Sequence, residues 1–237
     1  MSLPRFFVPS SSPGQAGLQI RLEPAQARHL WALRLAPGAA LELVLPSGQW
    51  KADLSELARD RALVRLVAPL VEEREPSFAI SAFIPVTAQL SLMDDMLPPL
   101  VELGATLIQP VLFERSEHDP AKAAARIERW RRIVQGACEQ SHRSRIPVLP
   151  APVRLGDLLV LDCAQRWVAH EVPSGHANPV LERGPVAFTS GPEGGLSDAE
   201  FAALVDAGWR PVHLGGSILR AVTCPVALLG AIRFLAG

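Results

Sequence analysis

The chain has 237 residues, 49% of them apolar, and a formal net charge of −1 at pH 7. That supplies a core for one large or two smaller domains, and it excludes nucleic-acid binding through bulk positive charge, so any RNA contact must rest on a local patch. Three separated cysteines, Cys138, Cys163 and Cys224, give neither zinc spacing nor a disulfide framework. With no run long enough to span a membrane and no sustained apolar segment near the N-terminus, a cytoplasmic protein without a metal is expected.

The first third is β-rich. Residues 5–8 read as a short strand, and 10–17 (SSSPGQAG) as a loop. Residues 24–35 have helical spacing, with Ala27, Leu30 and Trp31 as the apolar positions and Pro24 suited to the first helical position. Strands at 40–45 and 50–57 flank Pro46-Ser47-Gly48 as a hairpin, and 62–67 adds a further strand. The expectation is a small barrel over residues 1–70, then a charged linker at 71–76 (VEEREP).

From residue 77 the rhythm changes to alternating strands and helices. A strand is expected at 78–84, then a helix at 89–103 closed by Gly104, with Pro98-Pro99 kinking or dividing it. A strand at 107–113 precedes one long helix at 121–141, and strands follow at 167–172 and 185–190. A helix at 197–207 opens on the capping box Ser197-Asp198-Ala199-Glu200. A strand at 210–214 leads to a last helix from about residue 223, with Pro225 in its first turn. Such alternation predicts an α/β unit with a parallel sheet.

Two glycine loops stand between strand and helix in consecutive units: Gly191-Pro192-Glu193-Gly194-Gly195 and Leu214-Gly215-Gly216-Ser217-Ile218-Leu219-Arg220. If their strands are neighbours, both loops line one crevice at the carboxyl ends of the sheet. The phosphate fingerprints GxGxxG and GxxxxGK[ST] are absent, as is the nucleophile elbow GxSxG. Glu193 would repel a phosphate, so the loops suit a nucleotide-like ligand without one. S-adenosylmethionine (SAM) has that chemistry. Alternatively, Glu193 caps a neighbouring helix or pairs with Arg220.

These residues carry a resemblance. GPEGGLSDAE followed by LGGSILRAVT is similar to the RsmE family of SPOUT-class methyltransferases, which modify N3 of a uridine in 16S ribosomal RNA. MDDMLPPLVELGA, IQPVLFERSE and EQSHRSRIP agree in order, and RHLWALRLAPGAALELVLPSGQWKADL is similar to the family's PUA-like RNA-binding barrel. The resemblance implies a SPOUT-type trefoil-knot domain over 77–237, SAM as cofactor, a homodimer, no metal, and the small ribosomal subunit or its 16S RNA as partner. It places the cofactor against Thr189, Gly191, Pro192, Glu193, Gly194 and Gly195, with His170 at the rim. From the second loop it adds Leu214, Gly215, Ser217, Ile218 and Leu219. The chain departs from the family pattern at Ser217 (commonly Arg), Val222 (commonly Glu) and Pro99 (commonly Lys).

Methylation of uridine N3 needs a developing anion stabilised and a proton removed. The candidate cations are Arg115, Arg143 and Arg220, and Glu139 is the candidate proton acceptor. Arg115 could alternatively pair with Glu114 or Glu117. Residues 125–147 hold an arginine stripe in which Arg129 and Arg132 share a helix face, with Ile127, Trp130 and Val134 on the buried side. RNA contacts are expected from Arg5, Arg28, Arg34, Arg115, Arg143, Arg145 and Arg220, with His29 beside the barrel group. Scarce aromatics argue against a dominant stacking platform. The competing readings are a SPOUT methyltransferase with another RNA target and a non-catalytic RNA-binding protein that keeps the fold.

Overall fold

The computed structural model describes residues 3–9, 13–71, 75–117, 120–171 and 177–236. Residues 10–12 of the expected first loop, 72–74 of the expected linker and Val172 of an expected strand lie outside them. The chain divides into a unit of Met1–Arg74 with Cys138–Ser144 and a unit of Glu75–Ala137 with Arg145–Gly237.

In the first unit, β1 (Arg5–Phe7), β2 (Gln19–Leu22), β3 (Ala40–Leu45), β4 (Gly48–Ala58) and β5 (Arg61–Leu70) form a five-stranded half-barrel in the order β1-β3-β4-β5-β2. β1 runs parallel to β3 and the other pairs are antiparallel. Register shifts between Lys51 and Ala52 and between Leu54 and Glu56 bend β4, the irregularity a closing sheet needs. Helix α1 (Pro24–Ala32) buries Ala27 and Leu30 against a core of Phe6, Leu41, Leu43, Leu54 and Val64. Trp31, expected on that face, is instead 52% exposed. Strand β2 has no sequence signal beyond an apolar pair, Ile20 and Leu22.

In the second unit, β6 (Ile80–Pro85), β7 (Leu107–Leu112), β8 (Val153–Arg154), β9 (Gln165–Ala169), β10 (Val186–Ser190) and β11 (Arg210–Val212) form one sheet in the order β11-β9-β10-β6-β7-β8. Every pairing in it is parallel. All five residues of β10 are buried, as befits the middle of such a sheet. Helix α2 (Leu90–Glu102) runs unbroken through Pro98 and Pro99, so the expected division does not occur. Buried Met93, Met96, Leu97, Leu100 and Val101 hold one continuous face of it in the core. The expected long helix at 121–141 is two: α3 (Pro120–Ala124) and α4 (Ile127–Gln140). A tighter hydrogen bond, Arg126 N–H to Ala123 O, breaks the run between them. Helix α5 (Leu155–Leu159) has no counterpart among the expected elements, whereas α6 (Asp198–Asp206) has the expected capping box and α7 (Thr223–Leu235) closes the chain. Among the described residues no helix is long and apolar enough to cross a membrane.

Three helices end in the same hydrogen-bonded closure. In α1, α2 and α6 the residue after the cap donates to the carbonyl three residues back, and the next residue to the carbonyl five back. Gly104 and Gly208 occupy the left-handed position in α2 and α6, at φ 94° and 85°. In α1 that position is Arg34, at φ 55°. His142 (φ 57°) follows α4 in the same way, with Arg143 N–H bonded to Cys138 O. A side chain in this conformation is strained relative to glycine.

Candidate functional site

Because the second sheet is wholly parallel, Pro85, Leu112, Ala169, Ser190 and Val212 all end at one edge. The two glycine loops leave that edge from β10 and β11. Their strands are not neighbours, contrary to expectation: β9 lies between them. The loop after β9 therefore enters the crevice, and His170 lies in it. The His170 ring stacks on Phe201 with centroids 3.9 Å apart, and its backbone N–H donates to Val212 O at 3.2 Å.

The first loop is built as a closed turn. Gly195 N–H donates to Pro192 O at 2.8 Å, and Gly195 sits at φ 72°. A Cβ on Gly191 would meet the backbone nitrogen of Leu196 at 2.7 Å, which only glycine avoids. Ser197, buried behind the loop, caps α6 and donates its hydroxyl to Glu114 at 2.7 Å; Glu200 accepts from the N–H groups of Ser197 and Glu114.

Three neighbouring loops fix this turn and the next. Glu193 accepts from Ala88 N–H at 3.1 and 3.2 Å through its two carboxylate oxygens, so its partner is the loop before α2 and not Arg220. Ala88 directly precedes the cap residue of α2, which puts Glu193 close to a helix start without capping it. Arg115 donates from Nη1 to Gly194 O at 2.8 Å and to Leu196 O at 3.3 Å. Its guanidinium thus holds loop carbonyls, where the sequence offered Glu114 and Glu117 as alternatives. Asn178 forms a matched pair of bonds with the backbone of His213, donating to its carbonyl at 2.8 Å and accepting from its N–H at 2.7 Å. That strap, which no sequence pattern marks, sets the start of the second loop.

The end of β10 has open valences. Thr189 Oγ1 is buried with no hydrogen-bond partner. The buried Ser190 hydroxyl has the Cys224 thiol beside it, a weak hydrogen-bonding group, and no ordinary partner. Burial pushes that thiol up to about 11, partly offset by Ser190. Both hydroxyls lie at the carboxyl end of β10, where the first glycine loop begins. In the second loop, a Cβ on Gly215 or Gly216 would meet nothing within 4 Å, and Ile218 is 83% exposed. Leu214 and Leu219 are half-buried, whereas Ser217 and Arg220 are exposed.

The remaining expected residues divide by unit. Arg143 and Glu139 belong to the first unit, where Arg143 is buried. Arg5, expected at an RNA surface, is instead buried and structural. Its Nε donates to Glu42 at 2.9 Å, its Nη1 to the carbonyls of His142 and Arg143, and its Nη2 to Gln49. Glu42 also meets His142 Nδ1 at 3.0 Å. Arg28 is exposed and paired with Asp60, and Arg34 and Arg145 are exposed. The arginine stripe on α4 is largely satisfied internally: Arg129 pairs with Asp94, Arg131 with Glu128, and Arg132 reaches Glu128 O. Hydrogen bonding to Asp94 and its charge raise the Arg129 pKa further. Trp130 and Val134 are buried as expected, and Ile127 only partly.

Comparison with known proteins agrees with this architecture. A family model described as RNA methyltransferase domain matches residues 74–233. Ribosomal RNA small subunit methyltransferase E of Synechocystis is 33% identical over 91% of this chain and 73% of its own length. The enzyme of the same name from Aquifex aeolicus is 31% identical over 69% of this chain and 73% of its length. Among solved structures, ribosomal RNA small subunit methyltransferase E from Neisseria gonorrhoeae, bound to SAM, is 30% identical with a TM-score of 0.88, covering 99% of this chain and 98% of that one. A Legionella pneumophila methyltransferase in complex with SAM has the same TM-score and coverages at 27% identity. The fold is thus the α/β SPOUT type preceded by a PUA-like barrel, and the chain belongs to the RsmE family of RNA methyltransferases.

Proposed function

We propose that this chain is a SAM-dependent methyltransferase of small-subunit ribosomal RNA that methylates N3 of a uridine. SAM-dependent methylation of ribosomal RNA follows from the family and from relatives crystallised with SAM. The choice of uridine N3 rests on the sequence resemblance. The observation that carries the reading is the buried, unpartnered Thr189 hydroxyl at the carboxyl end of β10, beside a loop closed by Gly191 and Gly195.

These residues fit the cofactor. The first loop offers backbone groups at close approach, and Thr189 supplies one hydroxyl that needs a partner. The second loop, Leu214–Leu219 in sequence, has open space over two glycines and an exposed Ile218 for an apolar ring edge. Glu193 and Arg115 act by holding the first loop, and Asn178 by holding the second. Bound SAM would supply an electrophilic methyl group on a sulfonium, and uridine N3 must give up its proton to accept that methyl. Arg143 is our candidate for stabilising the uracil anion and Glu139 for accepting the proton.

We further propose that the chain works as a homodimer in the cytoplasm, where ribosomal RNA is processed. Phe234 at 86% and Leu235 at 58% exposure leave an apolar end on α7, which supports a second copy covering it. Light scattering of Phe234→Asp should report a monomer where the parent is a dimer.

The deciding experiment incubates radiolabelled SAM with small ribosomal subunits from cells lacking uridine-N3 methylation, then digests the RNA. Label in 3-methyluridine establishes the reading. Label in another nucleoside moves the target, and binding of RNA and cofactor without transfer points to a protein that keeps the fold without its chemistry. The replacements at Ser217, Val222 and Pro99 are what make that last outcome worth testing.

A further inference from the structure

The first unit exposes an aromatic residue beside several cations. On α1, Ala27 and Leu30 are buried while Trp31 is 52% exposed and Leu33, the cap residue, 48%. Arg28 lies one turn before Trp31, so the two side chains share an exposed face. Arg28 also bonds Asp60 at 2.6 Å. That contact brings the β4–β5 turn, with exposed Arg59 and Arg61 on either side of Asp60, to the same helix.

The end of the helix adds a second, independent sign. The equivalent closure position is glycine in α2 and α6, but Arg34 in α1, at φ 55°. The chain thus keeps a strained, exposed cation where glycine would close the helix without strain. His142 shares this conformation but is half-buried against Glu42, whereas the Arg34 side chain is exposed. The helix itself carries no acid, and Asp60 is the carboxylate that Arg28 engages, so four arginines stand on this helix end and turn.

We infer that Trp31, flanked by Arg28, Arg34, Arg59 and Arg61, is a docking surface for unpaired nucleotides of RNA, with a base stacked on the Trp31 indole and phosphates on the arginines. This rests on the reading that the substrate is ribosomal RNA, and it adds a stacking contact that the scarcity of aromatics argued against. Stacking is tolerant of base identity, so the surface holds a strand without selecting the target uridine. The charge pattern, exposed cations on the same helix and the adjoining turn as one exposed ring, matches single-stranded RNA.

The test uses the full chain and a fluorescein-labelled, unstructured oligouridylate as probe, with SAM affinity and thermal midpoint measured on every variant. Trp31→Ala should weaken RNA binding about tenfold, leaving the salt dependence, SAM affinity and midpoint as in the parent. Trp31→Phe should restore most of the affinity. Arg34→Gly and Arg28→Ala should each lower the slope of log K against log salt by about 0.7, and Arg34→Gly should do so with a raised midpoint. Undiminished RNA affinity in Trp31→Ala overturns the inference, including the case where this face seats a protein. If Trp31 governs RNA binding but the parent transfers no methyl group to ribosomal RNA, the functional reading fails and the surface stands. If the parent transfers a methyl group and Trp31 has no influence on RNA binding, the function stands and the surface falls.

Discussion

Arg115 and Gly194 are fitted to one another: Arg115 Nη1 donates to the Gly194 carbonyl at 2.8 Å, and a Cβ on Gly194 would lie 3.2 Å from Arg115 Cβ. The arginine stem occupies the space that the glycine leaves. The first loop is therefore held from outside, by a residue of the β7 loop. Arg115→Ala removes a charged hydrogen bond to loop carbonyls that are exposed when it is gone, a loss of about 1.5 kcal/mol. The expected result is about tenfold weaker SAM binding, read by calorimetry, with a small fall in melting midpoint. Equal SAM affinity in the variant would show that the loop keeps its shape unaided.

Glycines of the two loops should separate in a way that distinguishes backbone closure from ligand clearance. Gly191→Ala drives its Cβ to 2.7 Å from the Leu196 nitrogen, and backbone cannot yield as a side chain can. It should cost about 1–3 kcal/mol of stability and SAM binding with it. Gly216→Ala meets no neighbour within 4 Å and should leave the midpoint unchanged. If the second loop faces the cofactor, that same variant still weakens SAM binding. Titration of both proteins alongside their melting curves checks the contrast, and a Gly216→Ala protein that binds SAM like the parent would place the ligand elsewhere.

Local patterns carried much of the second unit: the capping box at Ser197, the Gly104 closure and the strand–loop–helix rhythm each depend on neighbours in sequence. The expected division of α2 at Pro98-Pro99 failed because the core face of that helix, Met93 to Val101, outweighs two lost backbone bonds. Sheet order was not legible either. Nothing between residues 165 and 212 says that β9 lies between β10 and β11, yet that order brings His170 into the crevice. Chain threading is likewise no property of a local pattern, and the knot was expected on resemblance alone. Arg5 illustrates the remaining error: an arginine near the N-terminus reads as a surface cation, and only the fold supplies Glu42, Gln49 and two carbonyls around it.

That surrounding makes Glu42 a sensitive point. It is the carboxylate for a guanidinium whose side chain is 4% exposed, and it also meets His142. Glu42→Ala leaves Arg5 buried without its counter-charge, which costs about 3 kcal/mol. Urea unfolding followed by circular dichroism should show the midpoint fall by a corresponding amount. A change below about 1 kcal/mol, far short of the loss for a broken buried pair, would mean that Gln49 and the carbonyls of His142 and Arg143 satisfy Arg5 without Glu42.

Cys224 makes folding stability depend on pH only in the alkaline range. Its thiol is pushed from the ordinary 9.0 up to about 11 by burial. Below pH 9 both folded and unfolded states hold the proton, so the group contributes no pH dependence. As pH rises from about 9 towards 11, the unfolded state releases the proton while the folded state keeps it, and folding stability falls. The full loss is about 2–3 kcal/mol once the pH passes the folded value. The sequence has no tyrosine and its only lysines are Lys51 and Lys122, and comparison with Cys224→Ala cancels the other two thiols, Cys138 and Cys163. Denaturant unfolding of the parent and Cys224→Ala at pH 8 and pH 10.5 should therefore show the parent losing more stability than the variant. Parallel losses would mean that the thiol ionises as readily folded as unfolded, and that Ser190 and solvent reach it more freely than its burial beneath β10 implies.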